Sequence, residues 1–299
     1  MNFANVKELT IPEGDVLSIT DMLGTVLWQK QGTGPDLTEP FYAENLTNSP
    51  LSINFYKYYS SAPTVTVWYS RDKSNWTQLG QTTSADMTLT ISPNEKVWFV
   101  GLSDTNQQWA NGNYNNRISF SSKIGGNIMS LVYGQSFNGQ TEFSNLSSTK
   151  NFYSLFSSTN ITDISELILP AKQLTVSCYH YMFGYCANIT VAPIIYALYL
   201  DEYSCAYMFS NCPNLETGPT LLAQTIPTPS KSWTGAYYEM FYNCTKLNYV
   251  KCLATTIGTN GTDYWMNGVA STGTFVKDAN TTWERSVHGI PTGWIVENA

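Results

Sequence analysis

Apolar and polar residues alternate in a series of short runs between residues 51 and 123. Such runs, separated at about 8–12 residues by Pro, Gly, Asn or Asp, are typical of antiparallel strands with one buried face. The pattern therefore predicts a β-sandwich (Ig-like) over residues 37–134. Its predicted strands are LSINFYK (51–57), TVTVWYS (64–70), WTQLG (76–80), MTLTIS (87–92), KVWFVGL (96–102) and RISFSSK (117–123).

A short unit precedes this region. The segments KELTIPEG and VLSITD alternate in the same way, and MLGTVLWQK predicts a turn followed by a strand. The Gly-rich stretch QGTGPD at residues 31–36 is typical of a linker. Residues 1–36 are thus predicted to form an N-terminal β-element, which either docks to a partner or adds strands to the following sheet.

One phrase recurs in the second half of the chain. It reads YMFGYCANI at 181–189, YMFSNCPNL at 207–215 and YEMFYNCTKL at 238–247, with a weaker copy, FYSLFSSTNI, at 152–161. The phenylalanines Phe156, Phe183, Phe209 and Phe241 are spaced by 27, 26 and 32 residues. A period in the twenties is typical of a leucine-rich-repeat solenoid, whose units bury their apolar sides by stacking on one another.

The repeats set the remaining predicted boundaries. We predict a short, irregular solenoid over residues 135–260 and a C-terminal cap over residues 261–299. The apolar run GGNIMSLVYGQSF at 125–137 is predicted to cover the open edge of the first repeat. The fold class is therefore mainly β.

All six cysteines lie in or next to the repeats. Cys186, Cys212 and Cys244 each follow a repeat phenylalanine by three residues, so stacking should align them in a ladder of small apolar side chains. Buried free thiols are the favoured interpretation, although six cysteines could also form three disulfides.

Composition excludes some classes of function. The net charge is −7 and no Lys/Arg run occurs, which argues against nucleic-acid binding. The N-terminus lacks the features of a signal peptide, and no apolar stretch reaches the length of a membrane span, so no membrane insertion is expected. Only 12% of residues are charged and 14% are aromatic, which suits extended β surfaces with neutral polar faces.

Taken together, these motifs resemble those of the BspA-like leucine-rich-repeat proteins of Bacteroidetes and their phages. The resemblance rests on the YMFxxC phrase, the LPA-type segments between copies, the GNIMSLVYG entry and the GTFV…W…GIPTGW ending, and it covers roughly residues 125–299. The preceding YSRDKSNW…MTLTISPNEKVWFVGL is similar to the β-domain that often comes before such repeats. The opening VKELTIPEGDVLSITDMLGTVLWQK is similar to the start of fibre-like virion proteins of gut phages. The family implies surface display, adhesion and binding of protein or glycan, without catalytic residues.

Residues able to carry catalysis are few. The two histidines are His180, interpreted as a surface or satisfied structural residue, and His288, interpreted as a turn residue. A glycosidase would need two carboxylates across a cleft, for which Asp163 and Glu166 are weak candidates. No spacing predicts a catalytic, cofactor or metal site, and a calcium loop at SRDKSNW (70–76) is less favoured than a hairpin turn. The only adjacent acid pair, at 201–202, falls in a turn.

Tyrosines are the best candidates for binding, since flat rings can contact sugars or proteins at low entropic cost. We expect the tyrosine that precedes Met-Phe in each phrase to be buried, and others to be exposed for a ligand, for a subunit contact or for packing. The residues of the ligand site stay unknown at this point. The candidates are Tyr179, Tyr181, Tyr196, Tyr199, Tyr203, Tyr207, Tyr237, Tyr238 and Tyr242.

These observations lead to one favoured function and two alternatives. The favoured function is a non-enzymatic virion structural protein, a head or tail fibre or decoration made in the host cytoplasm and displayed on the virion surface. Its N-terminal region would bind other virion structural proteins, it would form a homo-oligomer, and its repeats would attach to a host glycan or protein. The alternatives are a bacterial cell-surface adhesin of the same architecture and a polysaccharide depolymerase.

Overall fold

The structure is a computed structural model of the chain. It describes residues 36–83, 86–102, 107–111, 114–143, 150–193 and 195–299, together with the backbone of residues 18–20 and 26–29. The chain divides into two compact units, Met1–Asp36 and Leu37–Ala299. In the first unit, β1 (Ser18–Thr20) pairs antiparallel with β2 (Val26–Gln29). Most of the predicted N-terminal docking element otherwise lies outside the described residues.

The second unit begins with two sheets. One sheet has the order β7-β4-β10-β9 and is antiparallel. The other has the order β12-β11-β3-β8-β5-β6, and only its β11–β12 pair is parallel. In chain order the elements are β3 (Tyr42–Glu44), β4 (Leu51–Lys57), β5 (Thr66–Ser70), β6 (Thr77–Gln81), β7 (Met87–Ile91), β8 (Lys96–Val100), β9 (Ala110–Asn111), β10 (Tyr114–Ser119), β11 (Lys123–Asn127), the short helix α1 (Ser130–Tyr133) with a 3₁₀ turn at Gly134–Ser136, and β12 (Asp163–Ile168).

The alternation read from the sequence determines which side of each strand is buried. Ile53 and Phe55 of β4 are fully buried, as are Val97 and Phe99 of β8. The rings of Phe55 and Phe99 lie 5.2 Å apart, although β4 and β8 belong to different sheets. The two sheets therefore share a core.

The apolar run at residues 125–137 contains β11 and α1. All four residues of α1 are buried, and the Trp109 indole Nε1 donates a 2.9 Å hydrogen bond to the Leu131 carbonyl. On the other side, β11 pairs in parallel with β12. This run therefore connects the antiparallel sheets directly to the parallel strands that follow.

Parallel pairing dominates the second half of the unit. The strands β13, β15, β17 and β18 form one parallel sheet, and β14 pairs in parallel with β16. Isolated parallel bridges join Leu169 to Ile195 and Ile195 to Leu221. The strands are β13 (Thr217–Leu221), β14 (Thr225–Ile226), β15 (Tyr249–Cys252), β16 (Thr256–Ile257), β17 (Thr274–Lys277) and β18 (Ile295–Asn298), with a 3₁₀ turn at Ser232–Thr234.

Five eight-residue turn segments, which we call the stacked segments, lie outside the strands and stack on one another. In the first four, the backbone N–H groups at positions 3, 5 and 7 donate to carbonyls of the next segment, as Phe183 N does to Met208 O at 2.9 Å. The N–H group at position 1 donates to the carbonyl of the residue just before the next segment, as Tyr179 N does to Ser204 O at 2.8 Å. Intervening N–H groups mostly close turns within the segment, as Met182 N does to Tyr179 O. The stacked segments are residues 152–159, 179–186, 205–212, 237–244 and 262–269.

The stacked segments share an uncommon backbone. Positions 3 and 7 have positive φ in all five, with values from 47° to 79°. Side chains at these positions crowd their own backbone, so Gly and Asn are the usual occupants. The residues at position 3 are Ser154, Tyr181, Tyr207, Glu239 and Tyr264, and those at position 7 are Ser158, Tyr185, Asn211, Asn243 and Gly268.

Phenylalanine rings at position 5 form the centre of the stack. Phe156, Phe183, Phe209 and Phe241 are fully buried and nearly parallel, with centroids 5.4, 5.5 and 5.9 Å apart. Stacked ring pairs add about 0.5–1.5 kcal/mol to the stabilisation from burial. The alignment predicted from the spacing of these residues is therefore present.

The cysteines at position 8 form the predicted ladder. The thiols of Cys186, Cys212 and Cys244 donate to the carbonyls of Phe156, Phe183 and Phe209 of the preceding segment, at 3.1, 3.1 and 3.0 Å respectively. All six cysteines of the chain are buried free thiols. Each ladder thiol thus satisfies its own weak donor while it packs between segments.

The described residues are mainly β, which confirms the predicted fold class at that level. One hydrophobic core extends from Phe41 in the antiparallel sheets to Trp294 near the C-terminus. The predicted divisions after residues 134 and 260 lie within this single unit and stay predictions. Among the described residues, none of the helices has the length and apolarity needed to cross a membrane.

Candidate binding surface

Side chains at position 3 and their neighbours form a line of rings across the stacked segments, here called the aromatic row. Tyr181 and Tyr207 stack almost parallel with centroids 4.4 Å apart. Tyr238 contacts Tyr207 at 5.4 Å and Tyr264 at 6.4 Å, and both pairs meet edge to face. The row comprises Tyr153, His180, Tyr181, Tyr185, Tyr203, Tyr207, Tyr238, Tyr264 and His288.

Several rings of the aromatic row reach solvent. Tyr185 is 53% exposed and Tyr264 is 41% exposed, while Tyr181 and Tyr207 are partly buried. The expectation that the tyrosine before Met-Phe is buried was wrong for these last two. The fully buried tyrosines are instead Tyr179 and Tyr237, at position 1 of their segments. At position 3 the three tyrosines are partly or substantially exposed, whereas Ser154 of the first segment is buried.

Tyrosine is a costly choice at these positions. A bulky residue with positive φ raises the conformational energy by about 1–2 kcal/mol. Position 7 of the next three segments holds Asn211, Asn243 and Gly268, which adopt this conformation more easily. The backbone alone therefore does not explain Tyr185, and burial does not either, since the residue is exposed. Tyr264, at position 3, combines positive φ with exposure in the same way.

The hydroxyl groups of Tyr181, Tyr207 and Tyr238 stay protonated at neutral pH. Burial is the largest cause that raises the pKa of Tyr181 to about 12, and the same holds for Tyr238. The pKa of Tyr207 is raised too, first by burial and then by the charge of Glu239. Protonated phenols can both donate and accept hydrogen bonds, as sugar hydroxyls and backbone amides require of a partner.

His180 lies at the centre of the row. Its ring stacks on Tyr153 at 4.9 Å and 6°, and the edges of Tyr203 and Tyr207 approach it at 5.4 Å. Its Nδ1 atom is buried and has no hydrogen-bond partner among the described residues. The interpretation of His180 as a surface or satisfied structural residue is met only in part, since the residue is partly exposed but its Nδ1 is not satisfied. Burial, and secondarily the charge of Lys150, lowers its pKa to about 3.

The lowered pKa of His180 predicts that stability decreases in mild acid. Between pH 3 and about 6.5 the unfolded chain binds a proton at this histidine and the folded chain does not, so protonation favours unfolding. The free energy of unfolding should fall by up to about 2 kcal/mol from pH 7 to pH 5. Urea denaturation at both pH values measures this. His180→Phe should remove most of the dependence and His288→Asn should retain it; equal slopes for wild type and His180→Phe would contradict the prediction.

His288, predicted as a turn residue, is an exposed residue at the end of the row. Its Nδ1 lies 2.7 Å from Oδ1 of the buried Asp263, and its ring lies 6.1 Å from that of Tyr264. The Thr262 hydroxyl donates to the His288 carbonyl at 2.6 Å. These contacts fix the orientation of the imidazole beside Tyr264, so it can act as a further hydrogen-bonding group at the edge of the row.

The carboxylates considered from the sequence have local structural partners. Glu166 accepts hydrogen bonds from the Tyr42 hydroxyl and from Lys123, and Asp163 accepts 2.8 and 2.7 Å bonds from the Ser165 amide and hydroxyl. In the acid pair at 201–202, the Glu202 carboxylate accepts a bond from the Ser230 amide. No group of three or more potential metal ligands occurs among the described residues.

The segment SRDKSNW forms the predicted hairpin connection between β5 and β6. The Asp72 carboxylate accepts bonds from the amides of Ser74 and Asn75 at 2.8 and 2.7 Å. These bonds lower the pKa of Asp72. The carboxylate therefore stabilises its own turn.

The structure brings only part of the predicted tyrosine set together. Tyr181, Tyr203, Tyr207 and Tyr238 belong to the aromatic row, whereas Tyr196, Tyr199 and Tyr242 lie outside it. Tyr153, Tyr264 and both histidines were not proposed as binding residues. The sequence TDYWMNGV at 262–269 holds Tyr264 in the register of Tyr207, but it lacks the phenylalanine and cysteine that mark the other copies.

In comparisons with known proteins, no protein-family model, curated protein or solved structure matches this chain.

Proposed function

We propose that this protein is a non-enzymatic attachment protein that holds a surface polysaccharide or protein against its aromatic row. The supporting observation is the set of exposed tyrosines at positive-φ positions, which cost conformational energy and gain little from packing. A linear array of hydroxyl-bearing rings suits an extended ligand that makes many weak contacts. Multiple copies on one particle would add avidity.

The setting that we propose is a bacteriophage virion, as a head or tail fibre or decoration protein. Residues 37–134 would form an Ig-like sandwich, and residues 135–260 would form an irregular leucine-rich-repeat solenoid of the BspA type with a cap at 261–299. Two sheets that share a core support the first assignment, and parallel segments with a phenylalanine stack support the second. Residues 1–36 would dock to other virion proteins, and the fibre would be a homo-oligomer.

A bacterial surface adhesin would use the same row. Mass spectrometry of gradient-purified phage particles and of washed host cells from the source culture separates the two settings. Stoichiometric peptides in particles would support the virion protein. Peptides confined to the cell envelope would support the adhesin and overturn the proposed docking role of residues 1–36.

Tyr185→Asn tests the row itself. Asn adopts positive φ more easily than Tyr, by about 1 kcal/mol, which offsets loss of the stacking on Tyr181 of about 0.5–1.5 kcal/mol. The free energy of unfolding should therefore stay within about 1 kcal/mol of the wild type. Binding of the fluorescently labelled protein to washed cells of the source culture should weaken by about 5–10-fold, the value of one ring contact.

Tyr199→Asn is the matched control, because Tyr199 is 62% exposed and lies outside the row. It should bind like the wild type. If both variants retained full binding, the row would not be the contact surface and the proposal would fail. If both weakened binding equally, the contact would not be specific to the row.

A further inference from the structure

A second group of exposed rings lies on the antiparallel sheets. Tyr58, Tyr59 and Tyr114 are 48%, 46% and 48% exposed. Tyr59 meets Tyr58 edge to face at 4.9 Å and 87°, and meets Tyr114 at 5.9 Å and 80°. Perpendicular rings leave open faces that point in different directions, so the group forms an angular platform. With Arg117 we call it the tyrosine–arginine cluster.

Arg117 supplies a positive charge to this platform. Its guanidinium lies over the Tyr58 ring at 3.5 Å from the centroid. It has no carboxylate partner within 4.0 Å among the described residues, whereas Arg71 pairs with Glu95. Its Nε is buried without a hydrogen-bond partner in the described part of the chain, and Tyr56 is a hydrogen-bonding neighbour. A stacked guanidinium without a counter-ion is a ready partner for an oxyanion.

The cluster lies beside the first stacked segment. The Ile118 amide, next to Arg117 in β10, donates a 2.8 Å hydrogen bond to the Leu155 carbonyl of the segment that holds Tyr153. The carboxylates near the row belong to the fourth and fifth stacked segments: Glu239, whose charge acts on Tyr207, and the buried Asp263, which pairs with His288. An acidic group on an extended ligand is therefore favoured at the Arg117 end.

We propose that the tyrosine–arginine cluster binds an anionic sugar unit, with a carboxylate or sulfate held by Arg117 and the sugar ring packed on Tyr59 and Tyr114. This rests on the proposed function, since the remaining units of the polysaccharide would continue along the aromatic row. A sugar fits better than a protein. The open apolar area is limited to three ring faces, well below the roughly 800 Å² per partner of a stable protein interface.

Binding of the full-length chain to defined polysaccharides tests this. The carboxylate probe is polygalacturonate, with its carboxyl-reduced form as the neutral counterpart; the sulfate probe is dextran sulfate, with dextran as its counterpart. We expect at least one anionic form to bind about tenfold more tightly than its neutral counterpart, and the preference to shrink as salt rises from 50 to 200 mM. The two probe pairs distinguish a carboxylate from a sulfate ligand.

Arg117→Gln should abolish the preference for the anionic form, because binding of that form weakens about tenfold more than binding of the neutral form. Arg71→Gln is the matched control, since Arg71 is also a partly exposed arginine of the antiparallel sheets and should keep the preference. Tyr59→Ala, at a half-exposed position, serves as a second variant and should weaken both forms. Near-UV circular dichroism confirms that each variant is folded.

Four outcomes would overturn the inference. In the first, Arg117→Gln binds both forms as the wild type does, while Tyr185→Asn still weakens attachment to cells. In the second, neither anionic form is preferred, and Tyr185→Asn again weakens attachment. In both of these cases the anionic subsite fails and the proposed function stands. Binding of poly-L-glutamate in place of either polysaccharide would assign the cluster to an acidic peptide. Loss of all polysaccharide binding together with an unaffected Tyr185→Asn variant would remove both proposals.

Discussion

Phe209→Ala should lower the free energy of unfolding by about 3–5 kcal/mol, the range for truncation of a fully buried phenylalanine. The ring is 0% exposed and lies between two others, 5.5 Å from Phe183 and 5.9 Å from Phe241. Its removal leaves a cavity in the middle of the stack. The backbone bonds between segments hold the surrounding rings in place, so they cannot close the cavity cheaply.

Chemical denaturation followed by near-UV circular dichroism measures this loss. Tyr199→Ala is the control, because a 62% exposed tyrosine should change stability by no more than about 0.5 kcal/mol. A loss below about 1 kcal/mol for Phe209→Ala would show that the stack repacks freely around the gap. The phenylalanines would then align the segments with one another without providing the main packing energy.

Gly126→Ala should be similarly severe, for a different reason. Gly126 has φ +73°, and an added Cβ would lie far inside van der Waals contact with the Pro40 carbonyl oxygen. Pro40 cannot move away easily, because it forms a parallel bridge to Asn127. The backbone N–H of Asn127 donates a 2.8 Å hydrogen bond to the backbone carbonyl of Glu39. Steric overlap of about 1–3 kcal/mol and backbone strain of about 1–3 kcal/mol together predict a loss of about 3 kcal/mol or more.

Gly139→Ala separates the two causes. Gly139 has φ +78° but no atom within 4 Å of an added Cβ, so only the backbone strain applies, at about 1 kcal/mol. Thermal or urea denaturation of both variants should therefore place Gly126→Ala at least about 2 kcal/mol below Gly139→Ala. Equal losses would mean that the close approach of β11 to Pro40 relaxes at no cost.

Much of the strand pattern could be predicted because it is local. The run predicted at residues 51–57 coincides with β4, and the runs at 64–70, 87–92 and 96–102 contain β5, β7 and β8. Each short segment contains both the alternation of apolar and polar residues that predicts a strand and the turn-forming residues that bound it. The last run, at 117–123, overlaps the end of β10 at Ser119 and touches the start of β11 at Lys123. The predicted boundaries are shifted because the end of a strand depends on the partner strand with which it pairs.

That residues 123–127 form the strand β11 could not be predicted from the sequence. Its sequence KIGGN has two glycines and little alternation, so it lacks a local strand signal. It forms a strand because β3 and β12, both distant in sequence, pair with it from opposite sides. Glycine suits the site because a side chain at Gly126 would overlap Pro40.

The aromatic row was predicted only in part. The repeated phrase identified which tyrosines recur, and it aligned the cysteines correctly. It did not show that positions 3 and 7 of each segment have positive φ. Nor did it show that Tyr181 and Tyr207 are partly exposed while Tyr179 and Tyr237 are buried. Backbone conformation of this kind depends on the hydrogen bonds between segments. These bonds exist only once the segments have stacked.

The cysteine ladder has a practical consequence for observing the opening of the stack. Burial raises the pKa of the Cys186, Cys212 and Cys244 thiols, that of Cys244 to about 12, so they are unreactive while their segments are closed. Labelling by a maleimide reagent then requires local or global opening at that segment. Variants that keep a single ladder thiol would convert labelling rates into opening free energies at successive positions. The molecule thus carries built-in chemical probes in its three central segments, and their relative labelling rates show whether the stack opens from an end or all at once.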